Sequence, residues 1–237
     1  PHTSAWKDSG IYIKYFISIL LLIKTILQDK NYLIFSFQAN WYSILVVKFF
    51  GGNIITRSNT SPEGWSNNFF KKYLYKKILN LADLIIVNSK EFKVSMNKIL
   101  GINSKLIYNP LNKNHILKLS RKKFNFPFFK NKNTFKLINI GRFTDQKNQI
   151  LILKAFKNLN KKFKMKLVIT GRGINFSLLK NYIIDNNLND SVKIINFLDN
   201  PYPIIKKSDI FILSSNFEGL PNVLLEAQTL KIPIISS

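Results

Sequence analysis

The sequence predicts an α/β protein made of two successive doubly wound parallel sheets. Three observations predict it. Short apolar runs of four to six residues, rich in Ile, Val, Leu and aromatics, alternate with segments of helical spacing along most of the chain. The alternation lapses once, between Pro110 and Asn133, and then resumes. The turns that follow several of the runs carry glycine, cations and carboxylates, and it is beyond the carboxyl ends of strands that open parallel sheets place their ligands.

Taken in order, the first element is a long apolar run from Ile11 to Leu27. It is shorter than the roughly 20 residues that a membrane span wants. Lys14, Ser18, Lys24, Thr25 and Gln28 fall on one stripe of its helical wheel, so a buried or surface-lying helix explains it better than a span. Strands are expected at Tyr32 to Phe37, Asn53 to Arg57, Leu84 to Val87 and Lys105 to Tyr108. Helices are expected at Ala39 to Phe50, Asn67 to Asn80 and Ser89 to Leu100, with Gly51 and Gly101 as stops. The Lys, Asn, Pro and Phe stretch that follows holds eight basic residues from Lys113 to Lys136 and no acidic one, which reads as a domain crossing. Strands then return at Phe135 to Ile140, Met165 to Thr170, Val192 to Ile195, Ile210 to Leu213 and Pro233 to Ser236. Helices are expected at Lys147 to Leu159, Phe176 to Asn187, Tyr202 to Lys207 and Asn222 to Leu230. This gives a partial N-terminal Rossmann-like domain over 1–118, a basic linker over 119–133 and a partial C-terminal one over 134–237. The opening on Pro1 and the close within a strand make a fragment at both ends the expectation.

Composition narrows the chemistry. Thirty-six basic against twelve acidic residues give +24 over 237 residues, a balance that suits nucleic acid, an anionic membrane or phosphorylated substrates. Only Arg57, Arg121, Arg142 and Arg172 are arginine, whereas readers of nucleic acid lean on its bidentate fork. The abundance of Lys, Asn, Ile and Phe is also what an AT-rich gene yields without selection for binding. Cysteine is absent, and His2 and His115 are the only imidazoles, which argues against a histidine or cysteine metal site.

Three strand-to-helix turns carry the candidate chemistry. In Gly141-Arg142-Phe143-Thr144-Asp145-Gln146-Lys147-Asn148, glycine permits close backbone approach and two cations sit at a helix N-terminus, which suits a diphosphate. Lysine in a first helical turn opposes the helix dipole, and an anionic ligand would remove that conflict. Gly171-Arg172-Gly173 lacks the full dinucleotide spacing and reads first as a structural turn. The third turn runs Ser214-Ser215-Asn216-Phe217-Glu218-Gly219-Leu220-Pro221-Asn222 and leads into a helix that contains Glu226. That helix is apolar almost all round, so its carboxylate needs a partner, either a lysine or a ligand hydroxyl such as those of a ribose.

The pair Glu218 and Glu226, in the setting Glu-Gly-Leu-Pro-Asn-Val-Leu-Leu-Glu-Ala, resembles the signature of retaining GT-B glycosyltransferases of family GT4. Gly141-Arg142-Phe143 with Lys147-Asn148 is similar to that family's diphosphate turn, and Ala82-Asp83-Leu84-Ile85-Ile86-Val87-Asn88-Ser89 and Tyr108-Asn109-Pro110 extend the likeness upstream. The resemblance implies a GT-B fold, two Rossmann-like domains facing a cleft, both partial in this chain. It implies that Arg142 and Lys147 neutralise the departing diphosphate, assisted by backbone N–H groups around the turn Gly219, Leu220, Pro221 and Asn222, in which proline itself has none to give. Glu218 would hold the transferred sugar and Glu226 the ribose. Arg57 and Asn59, after the second strand, sit where related enzymes carry an acceptor-side Arg-Asn pair, and an ordinary polar turn explains them about as well. No metal or other cofactor is implied beyond a nucleotide-sugar donor, UDP by the family's weight. The implied acceptor is a saccharide or lipid-linked saccharide, used in cell-surface polysaccharide or lipopolysaccharide synthesis. Asn196-Phe197 stands where the family has Gly-Phe.

The aromatic and basic segments Phe69 to Lys77 and Arg121 to Lys132 suit peripheral contact with an anionic membrane, on the inner face of the cytoplasmic membrane, as well as they suit a solvated face. Nucleic acid is not expected as a partner. Three other readings stay open on the sequence: a basic nucleic-acid-binding α/β protein, which does not account for Glu218 and Glu226; a GT-B nucleotide-sugar epimerase, which needs no acceptor; and a non-catalytic sugar-binding relative, which keeps the fold without turnover.

Overall fold

The computed structural model describes residues 10–29, 31–37, 40–58 and 68–237. Two compact units result, Pro1–Tyr108 and Asn109–Ser237.

In the first unit, strands β1 (Leu33–Phe37), β2 (Asn53–Ser58), β3 (Leu84–Val87) and β4 (Lys105–Leu106) form a parallel sheet in the order β1-β2-β3-β4. Helix α1 (Ile11–Gln28) precedes the sheet, and α2 (Asn40–Phe49), α3 (Phe69–Leu79) and α4 (Lys90–Leu100) are the crossovers. Right-handed crossovers between sequential neighbours place their helices on one face. The core agrees, because Ile26 of α1, Ile44 and Val47 of α2, Ile78 of α3 and Phe92 and Met96 of α4 all pack into one cluster with Ile54, Ile85 and Val87. Local signals hold the ends: Ser89 caps α4 by accepting from the Phe92 N–H at 3.1 Å, and Gly101, at φ 62°, closes it in the left-handed region glycine enters freely. Among the described residues no helix is long and apolar enough to cross a membrane.

Asp83 shows how the sheet is registered. Its carboxylate accepts from the Ile54 N–H at 2.7 Å and from Lys48 Nζ at 2.7 Å, while its own N–H donates to the Ile54 carbonyl at 3.1 Å. Asp209 repeats the device in the second unit, accepting from the Lys136 N–H at 2.7 Å and donating to the Lys136 carbonyl at 2.8 Å. The Lys48 ammonium and then the Ile54 N–H hold the Asp83 carboxyl below the ordinary carboxylate range. A depressed acid contributes stability above its unfolded pKa, roughly 3.9, and loses it as pH falls through the lower folded value. Asp83→Asn is therefore expected to destabilise the first unit at pH 7 by up to about 1 kcal/mol, the pair being largely solvated. The difference should shrink as pH falls through the depressed folded value and vanish below it, where both proteins carry a neutral side chain. All three tryptophans, Trp6, Trp41 and Trp65, lie in this unit, so urea unfolding followed by tryptophan fluorescence reads it directly.

The second unit holds β5 (Phe135–Ile140), β6 (Met165–Thr170), β7 (Val192–Ile195), β8 (Ile210–Leu213) and β9 (Ile234–Ser236), all parallel, in the order β7-β6-β5-β8-β9. Helices α5 (Lys113–Ser120), α6 (Gln149–Leu159), α7 (Phe176–Asp185), α8 (Tyr202–Lys206) and α9 (Asn222–Thr229) complete it. The order reverses between β5 and β8, and a doubly wound sheet opens its ligand crevice at that point.

Two features differ from the sequence expectation. Residues 119–133 are no free linker: the unit begins at Asn109, and Ile116, Phe126 and Phe129 are buried with Ile138, Phe211 and Ala227. The lysines and asparagines that signalled a crossing face solvent, while an apolar side chain every few residues turns inward. Helix α6 starts at Gln149 rather than Lys147, because Asn148 sits in the left-handed region at φ 47° and breaks the helical path before it.

Candidate functional site

The site grows from the turns at the carboxyl ends of β5, β6 and β8. After β5, Gly141 donates its N–H to the Thr170 carbonyl at 3.0 Å, and Phe143, fully buried, donates to the Arg172 carbonyl at 3.0 Å. Those bonds draw the Gly141 turn against the Gly171-Arg172-Gly173 turn. A Cβ at Gly171 would lie 1.9 Å from the Gly141 carbonyl oxygen, and one at Gly173 would lie 2.3 Å from that of Phe143. Both glycines are thus required by backbone packing, in keeping with the structural reading of that turn. The Gln149 side chain donates to the Arg142 carbonyl at 2.9 Å and fixes the far side of the loop.

The turn after β8 is sewn to the same loop. Ser214 donates to the carbonyls of Lys147 (3.0 Å) and Asn148 (2.9 Å), the Asn216 N–H to that of Gln146 (2.8 Å), and the Gln146 side chain to that of Phe217 (3.0 Å). Across this seam Lys147 Nζ forms an ion pair with Glu218 Oε1, with side chains only 14% and 21% exposed. The expected conflict between Lys147 and a helix dipole does not arise, since Lys147 precedes α6 and Glu218 already neutralises it. Asn109 ties down the next residues by donating to the Leu220 carbonyl at 3.2 Å and to Asn222 Oδ1 at 2.6 Å. Pro221 is the N-cap residue of α9, in extended conformation.

Two cavities flank the seam. One, of about 440 Å³, is lined by Gly141, Arg142, Arg172, Phe197, Tyr202 and Glu226 among others. The other, of about 500 Å³, is lined by Ser214, Ser215, Glu218, Gly219, Pro221 and Leu224 among others. Both fall within the size range of small-molecule sites. Arg142 is exposed at the first cavity, and the Arg172 guanidinium stacks over the Phe197 ring at 5.3 Å. The hydroxyls of Thr144 and Ser215, one in each turn, are buried without a hydrogen-bond partner, which leaves polar capacity that a ligand or water would fill.

Glu226 is half-buried on α9, and that helix is less buried than its apolar sequence suggests, only Ala227 within it being fully enclosed. No lysine pairs with Glu226 among the described residues; its partner is the Tyr202 hydroxyl, which donates to Oε1 at 3.4 Å. Burial raises the Glu226 carboxyl above its ordinary value, and the Tyr202 bond opposes this. Burial and then the Glu226 charge raise Tyr202 in turn. Sequence reasoning missed Tyr202; its position in a turn after β7, one residue into a short helix opened by Pro201, was the only signal for it. Asn196, in the place of the family's glycine, does not adopt positive φ, and its carbonyl accepts from Thr170 Oγ1 at 2.9 Å.

Arg57 stands in the first unit at the carboxyl end of β2, its guanidinium 5.9 Å from the Phe37 ring centre and its carbonyl accepting from Asn40 Nδ2 at 3.3 Å. Asn59 lies outside the described residues.

With this geometry in view, residues 120–237 match the family described as glycosyl transferases group 1. This part of the chain belongs to that family. It is 32% identical over 228 residues to an uncharacterized glycosyltransferase of Methanocaldococcus jannaschii, covering 91% of this chain and 52% of the relative. It is 30% identical over 196 residues to the N-acetylgalactosamine-N,N'-diacetylbacillosaminyl-diphospho-undecaprenol 4-alpha-N-acetylgalactosaminyltransferase of Campylobacter jejuni, covering 78% and 52%. The chain thus spans about half the length of these curated relatives. Among solved structures, Anabaena HepE with UDP-glucose superposes with a TM-score of 0.72 at 18% identity, covering 92% of this chain and 62% of that one. Sucrose-phosphate synthase of Thermosynechococcus elongatus superposes at 0.74 and 16% identity, covering 92% and 59%. At such identities the likeness shows the fold, and both units of this chain are accordingly the Rossmann-like units of the GT-B class.

Proposed function

We propose that the chain carries the donor site of a retaining glycosyltransferase, which moves a sugar from a UDP-linked donor to a saccharide or lipid-linked saccharide acceptor in cell-surface polysaccharide synthesis. One observation carries the reading. At the switch point between β5 and β8, a guanidinium and a half-buried carboxylate line one cavity, Glu218 and the unpartnered Ser215 hydroxyl line the other, and the ammonium paired with Glu218 sits in the seam between the turns. The Campylobacter relative, named for a diphospho-undecaprenol-linked acceptor, and an Escherichia coli relative named for UDP-Gal and a diphosphoundecaprenol-linked acceptor support the substrate classes.

In this reading Arg142 and Lys147 face the diphosphate, with the N–H groups of Gly219, Leu220 and Asn222 behind it. Glu218 accepts from hydroxyls of the transferred sugar, and Glu226 from those of the ribose. The bond from the anomeric carbon to the diphosphate oxygen breaks, and its electron pair leaves with UDP. The acceptor oxygen bonds to that carbon on the same face and releases its proton to the departing phosphate. The cations lower the barrier by stabilising charge that develops on the leaving group. Arg57 and Asn59 are assigned to the acceptor side, and the enzyme to the cytoplasmic face of the membrane.

A thermal-shift titration with UDP, GDP, ADP and their sugars tests the donor site. UDP or a UDP-sugar is expected to raise the melting temperature, and Arg142→Ala to remove most of the rise. Absence of any nucleotide effect, in this chain and in the full gene product, would overturn the assignment.

A further inference from the structure

The motif Tyr108-Asn109-Pro110 supplies nothing to the proposed chemistry, yet its asparagine is bonded to the turn that does. Asn109 is the first residue of the second unit. Its Nδ2 donates to the Leu220 carbonyl at 3.2 Å and to Asn222 Oδ1 at 2.6 Å, across 111 and 113 residues of sequence. An amide nitrogen carries two hydrogens, so both bonds form together. The ring of Pro110 disfavours helical backbone at the residue before it, which restricts the directions in which the Asn109 amide can point.

The turn needs such a hold. Its upstream end is fixed, because the Asn216 N–H donates to the Gln146 carbonyl at 2.8 Å and the Gln146 side chain donates to the Phe217 carbonyl at 3.0 Å. At its downstream end the N-cap of α9 is Pro221, which makes no side-chain cap. A serine, threonine, aspartate or asparagine at that place would accept from the first N–H groups of the helix and brace the turn against it. Among the described residues the N–H groups of Gly219, Leu220, Asn222 and Val223 donate to no protein acceptor. The missing cap therefore leaves donors for a ligand, and it also leaves the turn without a brace. Asn109 supplies the brace and uses none of those donors, since it grips a carbonyl and a side-chain oxygen. By occupying Asn222 Oδ1 it also keeps that oxygen from accepting a nearby backbone N–H, as asparagine side chains readily do.

We infer that Asn109 is the positioning residue of the donor turn, holding the N–H groups of Gly219, Leu220 and Asn222 in place for the donor's phosphates. The inference rests on the donor site proposed above and adds to it a residue that lines neither cavity. Donors fixed in advance act on a phosphate without reorganising. A loosened turn should accordingly lose the diphosphate's share of the affinity and keep the share of the base and ribose. A residue that merely staples its own segment to the fold would instead lose stability, and with it affinity for every part of the nucleotide alike.

Asn109→Ala and Asn109→Asp in the full chain test this beside Asn112→Ala, which removes the N-cap of α5, where Asn112 Oδ1 accepts from the His115 N–H at 3.0 Å. Without nucleotide, amide hydrogen exchange read by mass spectrometry is expected to quicken about tenfold over residues 217–223 in both Asn109 variants, and to keep the wild-type rate there in Asn112→Ala. In titrations with UDP and with uridine, the ratio of the two affinities is expected to fall about tenfold in Asn109→Ala, the size of a hydrogen bond to a charged group. It should fall further in Asn109→Asp, whose carboxylate meets the Leu220 carbonyl and repels phosphate, and stay unchanged in Asn112→Ala. Unaltered exchange over 217–223 in the Asn109 variants overturns the inference with no nucleotide involved. So does faster exchange with an unaltered ratio, because the turn then does not hold the phosphates, and so does an equal effect of Asn112→Ala, which marks a staple. Faster exchange in a chain whose wild type ignores UDP locates the failure in the donor assignment, and the phosphate role of Asn109 falls with it.

Discussion

Lys147→Ala is expected to lower turnover of the full gene product on the order of 10²- to 10³-fold, the loss typical when one preorganised donor to a developing anion is removed. The size follows from where the ammonium is held. Ser214 grips the Lys147 and Asn148 carbonyls, Asn216 grips that of Gln146, and Glu218 holds the ammonium itself. The cation is therefore aimed before any donor arrives and needs little reorganisation during reaction. Glu218 has two tasks in the proposed cycle, orienting Lys147 and accepting from the sugar, so Glu218→Gln should cost turnover through both. Residues that act as a unit give non-additive losses. The double variant is accordingly expected to be little worse than the more damaged single variant. Steady-state kinetics on the four proteins of that cycle checks this. Turnover of Lys147→Ala within threefold of wild type, or strictly multiplicative losses, would remove Lys147 from the leaving-group role.

Much of this architecture was legible beforehand, and the reasons are physical. Strands buried on both faces, such as Leu167 to Ile169 in β6, read as unbroken apolar runs because no position meets water. Helix ends set by single residues, such as Ser89 and Gly101, are local and visible. What escaped depends on distance along the chain. The Lys147–Glu218 pair joins residues 71 apart, and no spacing rule announces it. Residues 109–133 escaped because composition averages over a stretch in which a few apolar side chains, Ile116, Phe126 and Phe129 foremost, decide where the segment packs. Asn148 shortened the predicted helix through a single left-handed residue, a conformation asparagine permits but does not compel. Tyr202 became significant only when the fold brought it to Glu226.

Glu226→Gln should move stability and affinity in opposite directions, a signature that a purely structural carboxylate would not give. Burial raises the folded pKa of Glu226. A raised acid makes the folded state bind protons more readily than the unfolded one, so stability falls as pH rises from the unfolded value, about 4.3, through the raised folded value. Above the raised folded value that penalty is fully present, and glutamine removes it, so there the nucleotide-free variant is expected to melt higher than wild type. Binding runs the other way. Ribose hydroxyls donating to a carboxylate favour its ionised form, so nucleotide affinity should fall in wild type as pH drops through the folded pKa. In Glu226→Gln the affinity should already be lower at pH 7, by roughly 10- to 100-fold for the loss of hydrogen bonds to a charged group. Tyr202→Phe removes the bond that opposes the shift, which should move the wild-type midpoint upward in pH without abolishing binding. Calorimetric titration with UDP between pH 4.5 and 8, beside thermal melts of the free proteins, reads both quantities. If Glu226→Gln binds UDP as wild type does across that range, the carboxylate does not hold the ribose, and Arg142 and Lys147 alone would have to account for recognition.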